Sequence, residues 1–224
     1  MHTYESRVLG LKEVPAFSLA DVSQIVSGRG YAKVLLGKLV DKGEVRRLKP
    51  GLYSFHDDDF LVSTSLAKPS YISSMSALQY HRLVSQMPNA VFCFTTGRGR
   101  SFSLNAEVRF VHTGLFFGFQ PREYRNFMLP IADPEKAIID SIGLCPVSLF
   151  EEALGSVDLE RMLSYLARIG KSSVAKRVGF LLERQGFEVY KSLKKMVNAR
   201  YVQLDPLAKR AGKRDKKWGV VVNA

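Results

Sequence analysis

The 224-residue chain is 46% hydrophobic and 24% charged, a balance that builds a buried core and excludes an intrinsically disordered protein. No stretch approaches the roughly 20 apolar residues that span a bilayer, Met1 to Leu11 lacks the apolar run of a secretion signal, and Cys93 and Cys145 stand in apolar settings away from any metal-ligand spacing, so the expectation is a cytoplasmic protein with two buried thiols and no membrane association. The formal net charge of +12 favours a polyanionic partner, and the surplus is concentrated: residues 168–224 hold 15 Lys and Arg against 4 Asp and Glu, whereas residues 1–60 hold 9 against 8 and residues 61–167 hold 9 against 9.

Ser18 stands where a helix N-cap is expected, and Leu19, Val22, Ile25 and Val26 fall on one helical face. Gly28-Arg29-Gly30 supplies a tight turn, after which Val34, Leu35, Leu39 and Val40 mark a second amphipathic helix closing at Lys42-Gly43. Glu44 to Leu48 reads as a strand, Lys49-Pro50-Gly51 as a turn and Leu52 to Phe55 as the returning strand. Helix, turn, helix and short basic hairpin in this order predict a winged helix-turn-helix over residues 1–60. The acidic run Asp57-Asp58-Asp59 with Phe60 reads as its exit, leading into a helix around Leu61 to Ala67 and a break at Pro69, with a second domain over residues 68–224.

In that second part Tyr71-Ile72 is strand-like, Ser74 to His81 helical, and Val91 to Thr95 a buried strand. Gly97-Arg98-Gly99-Arg100 is a polar loop, Val108 to His112 a further strand, and Gly114 to Phe119 an aromatic-rich connection. Asp133-Pro134-Glu135 has the order of an N-cap, a first-turn proline and a first-turn acid. Asp158 caps a helix running to Ile169, Ser172 or Ser173 caps another ending at Gln185-Gly186, and a third covers about Glu188 to Val197. Strands at Tyr201 to Leu204 and Trp218 to Val222 flank a basic loop. The expected fold class is α/β (α+β): an N-terminal winged helix-turn-helix followed by a larger mixed α/β domain with a helical, basic C-terminal part.

In a helix-turn-helix the second helix enters the major groove by its N-terminal end. Arg29, Tyr31 and Lys33 are therefore the candidates for contact with bases or flanking phosphates, Lys38 for a phosphate, and Arg46, Arg47 and Lys49 on the hairpin for the minor groove or its rims. A second basic patch combines Lys191, Lys194 and Lys195 at helical spacing with Lys209, Arg210, Lys213, Arg214, Lys216 and Lys217, a density that suits a nonspecific, salt-sensitive polyanion contact. The aromatic segment of Phe116, Phe117, Phe119 and Tyr124 with Arg122 and Arg125 reads as a packed sheet surface in preference to a base-stacking platform. His2, His56, His81 and His112 are scattered, and neither a nucleophile elbow nor a phosphate-cradling loop occurs. No catalytic residue, metal site or cofactor is expected. Asp133, Glu135 and Lys136 have the residue types of a nuclease, but their place at a helix start makes capping the better account.

Several phrases in order carry a family resemblance: the hairpin Arg46-Arg47-Leu48-Lys49-Pro50-Gly51-Leu52-Tyr53, then Tyr71-Ile72-Ser73 with Ser76-Ala77-Leu78-Gln79-Tyr80-His81. Asp133-Pro134-Glu135-Lys136-Ala137 with Asp140 follows, then Arg177 to Glu183, Leu204-Asp205-Pro206 and Trp218 to Asn223. Over nearly its full length the chain resembles the AbiEi-type antitoxins of type IV toxin–antitoxin systems in prokaryotes. The resemblance implies a two-domain transcriptional autorepressor. Its winged helix would bind double-stranded DNA at inverted repeats in its own promoter, and its C-terminal domain would counter a nucleotidyltransferase-like toxin without a stable complex. The alternatives are an antitoxin that sequesters its toxin by direct contact and a DNA nuclease built on Asp133, Glu135 and Lys136.

Overall fold

A computed structural model describes residues 8–86 and 89–224, so His2 and the first seven residues of the expected winged unit lie outside the described residues. Strand β1 (Phe17–Ser18) leads into helix α1 (Leu19–Ile25). Ser18 closes a capping box there: its Oγ accepts from the Asp21 amide at 3.2 Å, and the Asp21 carboxylate accepts from the Ser18 amide at 2.6 Å. Gly28, with φ of 99°, makes the turn into helix α2 (Arg29–Asp41). Strands β2 (Arg46–Lys49) and β3 (Leu52–Ser54) form the hairpin, and β1 adds to β3 to give a three-stranded sheet in the order β1-β3-β2. Val8, Phe17, Val22, Val26, Ala32, Leu35, Leu36, Leu39 and Val45 make one small core between these elements.

A separate, larger core begins at the hairpin itself, because Leu48 is buried in it. Helix α3 (Asp59–Leu66) is capped by Asp58, whose Oδ1 accepts from the amides of Phe60 and Leu61. The strands that follow are β4 (Ser70–Ile72), β5 (Ala90–Thr95), β6 (Arg100–Ser103), β7 (Glu107–His112), β8 (Phe119–Tyr124) and β9 (Phe127–Ala132), with helix α4 (Ser74–Tyr80) between β4 and β5. They form one mixed sheet in the order β6-β7-β5-β4-β9-β8, parallel across β5/β7 and β4/β9 and antiparallel elsewhere. Helix α5 (Pro134–Ser141) packs on α4 and β9.

The C-terminal part adds α6 (Leu159–Ile169), α7 (Ser172–Arg184) and the short α8 (Tyr190–Leu193), then a small sheet of β10 (Val202–Gln203), β11 (Lys213–Asp215) and β12 (Val220–Val222) in the order β10-β12-β11. Trp218 anchors that sheet to α7: its ring lies against Gly179 so closely that a Cβ there would fall inside it. Lys176, fully buried, donates from Nζ to Asn198 Oδ1 at 2.8 Å and to the Arg200 carbonyl, and Arg177 Nε donates to the Gln203 carbonyl at 2.7 Å. The chain is a mixed α/β protein.

Some elements differ from the sequence reading. Strands β6, β8, β9 and β11 were not expected, and the single helix foreseen over Glu188 to Val197 is instead α8 followed by a 3-10 turn at Lys194–Met196. The N-cap of α7 is Lys171 with no side-chain bond, so neither Ser172 nor Ser173 caps it. Asp133 does stand at the N-cap of α5, yet its carboxylate makes no capping bond. It accepts instead from Arg122 Nη2 at 2.8 Å and from the Tyr165 hydroxyl at 2.9 Å, because charge-assisted partners converge on it inside the core.

Candidate nucleic-acid interface

Helix α2 buries Ala32, Leu35, Leu36 and Leu39 and turns Arg29, Gly30, Tyr31, Lys33, Val34, Gly37, Lys38 and Asp41 outward, as a period of 3.6 requires. Its first turn carries no acid and its N-cap residue contributes no side-chain bond, and the positive end of the helix dipole lies beside Arg29. Among the described residues Arg29, Lys33 and Lys38 make no ion pair. The structure thus brings four of the sequence-identified residues, Arg29, Tyr31, Lys33 and Lys38, onto one exposed surface.

The hairpin divides its cations between solvent and the protein body. Arg47 is exposed and without an ion pair among the described residues. Arg46 and Lys49 turn toward the protein body. Arg46 reaches both Asp57 and Asp59, the latter at 2.6 Å, in a fork that suits guanidinium geometry. Lys49 donates from Nζ to the Leu66 carbonyl at 2.6 Å and lies 5.9 Å from the Phe102 ring centre; burial and the charge of Arg100 hold its ammonium below the usual lysine range. The acidic run is therefore a clasp as well as an exit. Asp57 also accepts from Asn105 Nδ2 at 2.7 Å, Asp59 from the Ala106 amide at 2.6 Å, and Asp58 from the Tyr124 hydroxyl at 3.0 Å with Arg125 beside it at 3.1 Å.

The second basic patch is spread over two segments, one packed on α7 and the other joined to α7 through Lys217 and Glu183. Lys191 lies on α8, Lys194 and Lys195 on the following 3-10 turn, Lys213 and Arg214 on β11, and Lys209, Arg210, Lys216 and Lys217 on the flanking loops. All nine are exposed. Two of them have local partners: Lys217 pairs with both Glu183 oxygens at 2.8 and 2.7 Å, and Arg214 stacks 5.2 Å from the Tyr201 ring centre.

The nuclease-like trio is dispersed. Asp133 is engaged as above, Glu135 accepts from the Asp158 amide at 2.7 Å, and Lys136 joins a buried network that sequence reasoning missed. Lys136 Nζ pairs with Asp140 and donates to the Tyr71 hydroxyl at 2.8 Å; Asp140 also accepts from Tyr71 at 3.0 Å and Ser73 at 2.8 Å. The rings of Tyr71, Phe94 and Phe117 lie 5.3 to 5.6 Å from the ammonium. Burial holds Lys136 below and Asp140 above their ordinary values, with each partner's charge opposing the shift. The spacing of Lys136 and Asp140, one helical turn apart, was the available signal. Phe116 and Phe119 pack on Tyr71, and Phe117 is buried against Tyr165, so the aromatic segment is a packed surface. Both cysteines are buried, and burial pushes the Cys93 thiol up to about 12.

No family model matches the chain, and no curated protein matches it. Among solved structures the chain is similar to the crystal structure of the RV2827C protein from Mycobacterium tuberculosis, with a TM-score of 0.70 at 16% identity over 98% of this chain and 91% of that one. At that identity the similarity is one of fold.

Proposed function

We propose that this chain is a sequence-specific, double-stranded-DNA-binding transcriptional regulator that contacts its site through the outer face of α2 and the exposed side of the hairpin. The observation that carries the reading is the set of cations left to solvent there, Arg29, Lys33, Lys38 and Arg47, on a helix-turn-helix-hairpin unit with its own core. The patch on α8, β11 and their flanking loops adds a second, nonspecific backbone contact. The resemblance to AbiEi-type antitoxins extends the reading to an autorepressor that recognises inverted repeats in its own promoter and counters a nucleotidyltransferase-like toxin. The nuclease alternative is disfavoured by the separate engagements of Asp133, Glu135 and Lys136.

The test is binding of the purified protein to the DNA upstream of its own gene against a scrambled duplex of equal length. Preference for the upstream duplex supports a regulator. Equal binding of both overturns sequence specificity, and co-elution with the neighbouring gene's product in place of DNA binding favours a sequestering antitoxin.

A further inference from the structure

We infer that Val34 is a specificity-determining residue that meets the C5-methyl group of a thymine in the major groove; the inference rests on the duplex-binding reading above. Val34 is 55% exposed in the middle of α2, where an apolar side chain gains nothing from the fold. With Ala32, Leu35, Leu36 and Leu39 turned inward, the opposite line of the helix runs through Gly30, Val34, Gly37 and Asp41. A Cβ added at Gly30 or Gly37 would meet nothing within 4 Å, and neither has a positive φ. Packing therefore demands neither glycine, and glycine is a weaker helix former than alanine.

The two glycines clear the surface before and after Val34, leaving its γ-methyls as the foremost apolar point on that line. A β-branched side chain has few rotamers to lose in a helix. Lys33 stands on one flank of this line and Lys38 on the other, with Arg29 at the N-terminal end. This apolar point within a cationic rim, with the exposed ring of Tyr31 one turn before it, is complementary to a groove floor between two phosphate ridges. Of the four bases only thymine offers an apolar group in the major groove. Exposed Asp41 at the far end would face phosphate repulsion, which confines the contact to the stretch from Arg29 to Lys38.

The experiment starts from a randomised duplex library from which wild-type protein selects its preferred sequence. Each thymine in that duplex is then replaced singly by deoxyuridine, which removes only the methyl group. The expected result is one position per half-site at which wild type loses about four-fold in affinity, the worth of one buried methyl-sized group. Val34→Ala is expected to bind the thymine duplex about four-fold more weakly and no longer to distinguish it from the deoxyuridine duplex. A wild type indifferent to every replacement, or a Val34→Ala protein that still discriminates, overturns the inference while leaving duplex binding intact. A library that yields no preferred sequence overturns sequence-specific recognition and this inference with it.

Discussion

Arg46 and Arg47 are neighbours in sequence with opposite allegiances. Arg46 is held by Asp57 and Asp59, and Asp59 is buried; Arg47 points to solvent. Removing Arg46 leaves the Asp59 carboxylate short of a charge-assisted partner, a loss of about 2 kcal/mol. Urea unfolding of Arg46→Ala is thus expected to show a lowered midpoint, whereas Arg47→Ala should unfold like wild type and bind duplex DNA more weakly. Gly37 gives the reverse combination. Gly37→Ala should raise stability by about 0.5–1 kcal/mol and weaken duplex binding by holding α2 off the groove floor, measured by thermal melting alongside a binding titration. If Gly37→Ala bound as tightly as wild type, the outer line of α2 would not approach a surface.

At the scale of elements, the join between α7 and the C-terminal sheet is the most exacting. Gly179→Ala would drive a methyl group into the Trp218 ring, and overpacking of this kind costs about 1–3 kcal/mol. Trp218 is the only tryptophan, so a red-shifted emission would report its displacement, and unchanged emission would contradict the packing. The same ring gives a pH readout. Glu183 accepts from the Trp218 indole at 2.8 Å and from Lys217. Burial alone would raise its carboxyl, but these hydrogen bonds outweigh it and hold it below its ordinary value of 4.5. A carboxyl depressed in the folded state contributes stability fully above pH 4.5 and loses it as pH falls through the folded-state value below that. Trp218 emission is expected to shift on acidification below pH 4.5 in wild type, and Glu183→Gln should lack that component.

The helices among these elements were legible because their apolar residues repeat at helical spacing and residues such as Ser18 and Asp158 cap them in place. Three of the missed strands, β6, β8 and β11, lacked that contrast. Edge strands β6 and β11 carry mostly exposed side chains, and β8 contains Pro121 and alternates only weakly, so their pairing is set by β7, β12 and β9 rather than by their own composition.

At the scale of the molecule, two cores meet at the hairpin, with Leu48 in the larger one and Asp57 to Asp59 clasping the junction. The cations of α2 were legible as candidates because helical spacing decides which side chains face outward. Those of the hairpin were not sorted, because their allegiance depends on carboxylates and a carbonyl up to 17 residues away. The central claim is that duplex DNA is held by the solvent-facing cations and not by the clasp. It is tested most directly by a salt-series titration of a selected duplex with wild type and a Lys33→Ala/Lys38→Ala/Arg47→Ala variant. Each lost phosphate contact should lower the slope of log affinity against log salt by about 0.9, so the variant is expected to bind more weakly with a slope smaller by about 2–3. An unchanged affinity and slope in that variant would contradict the account.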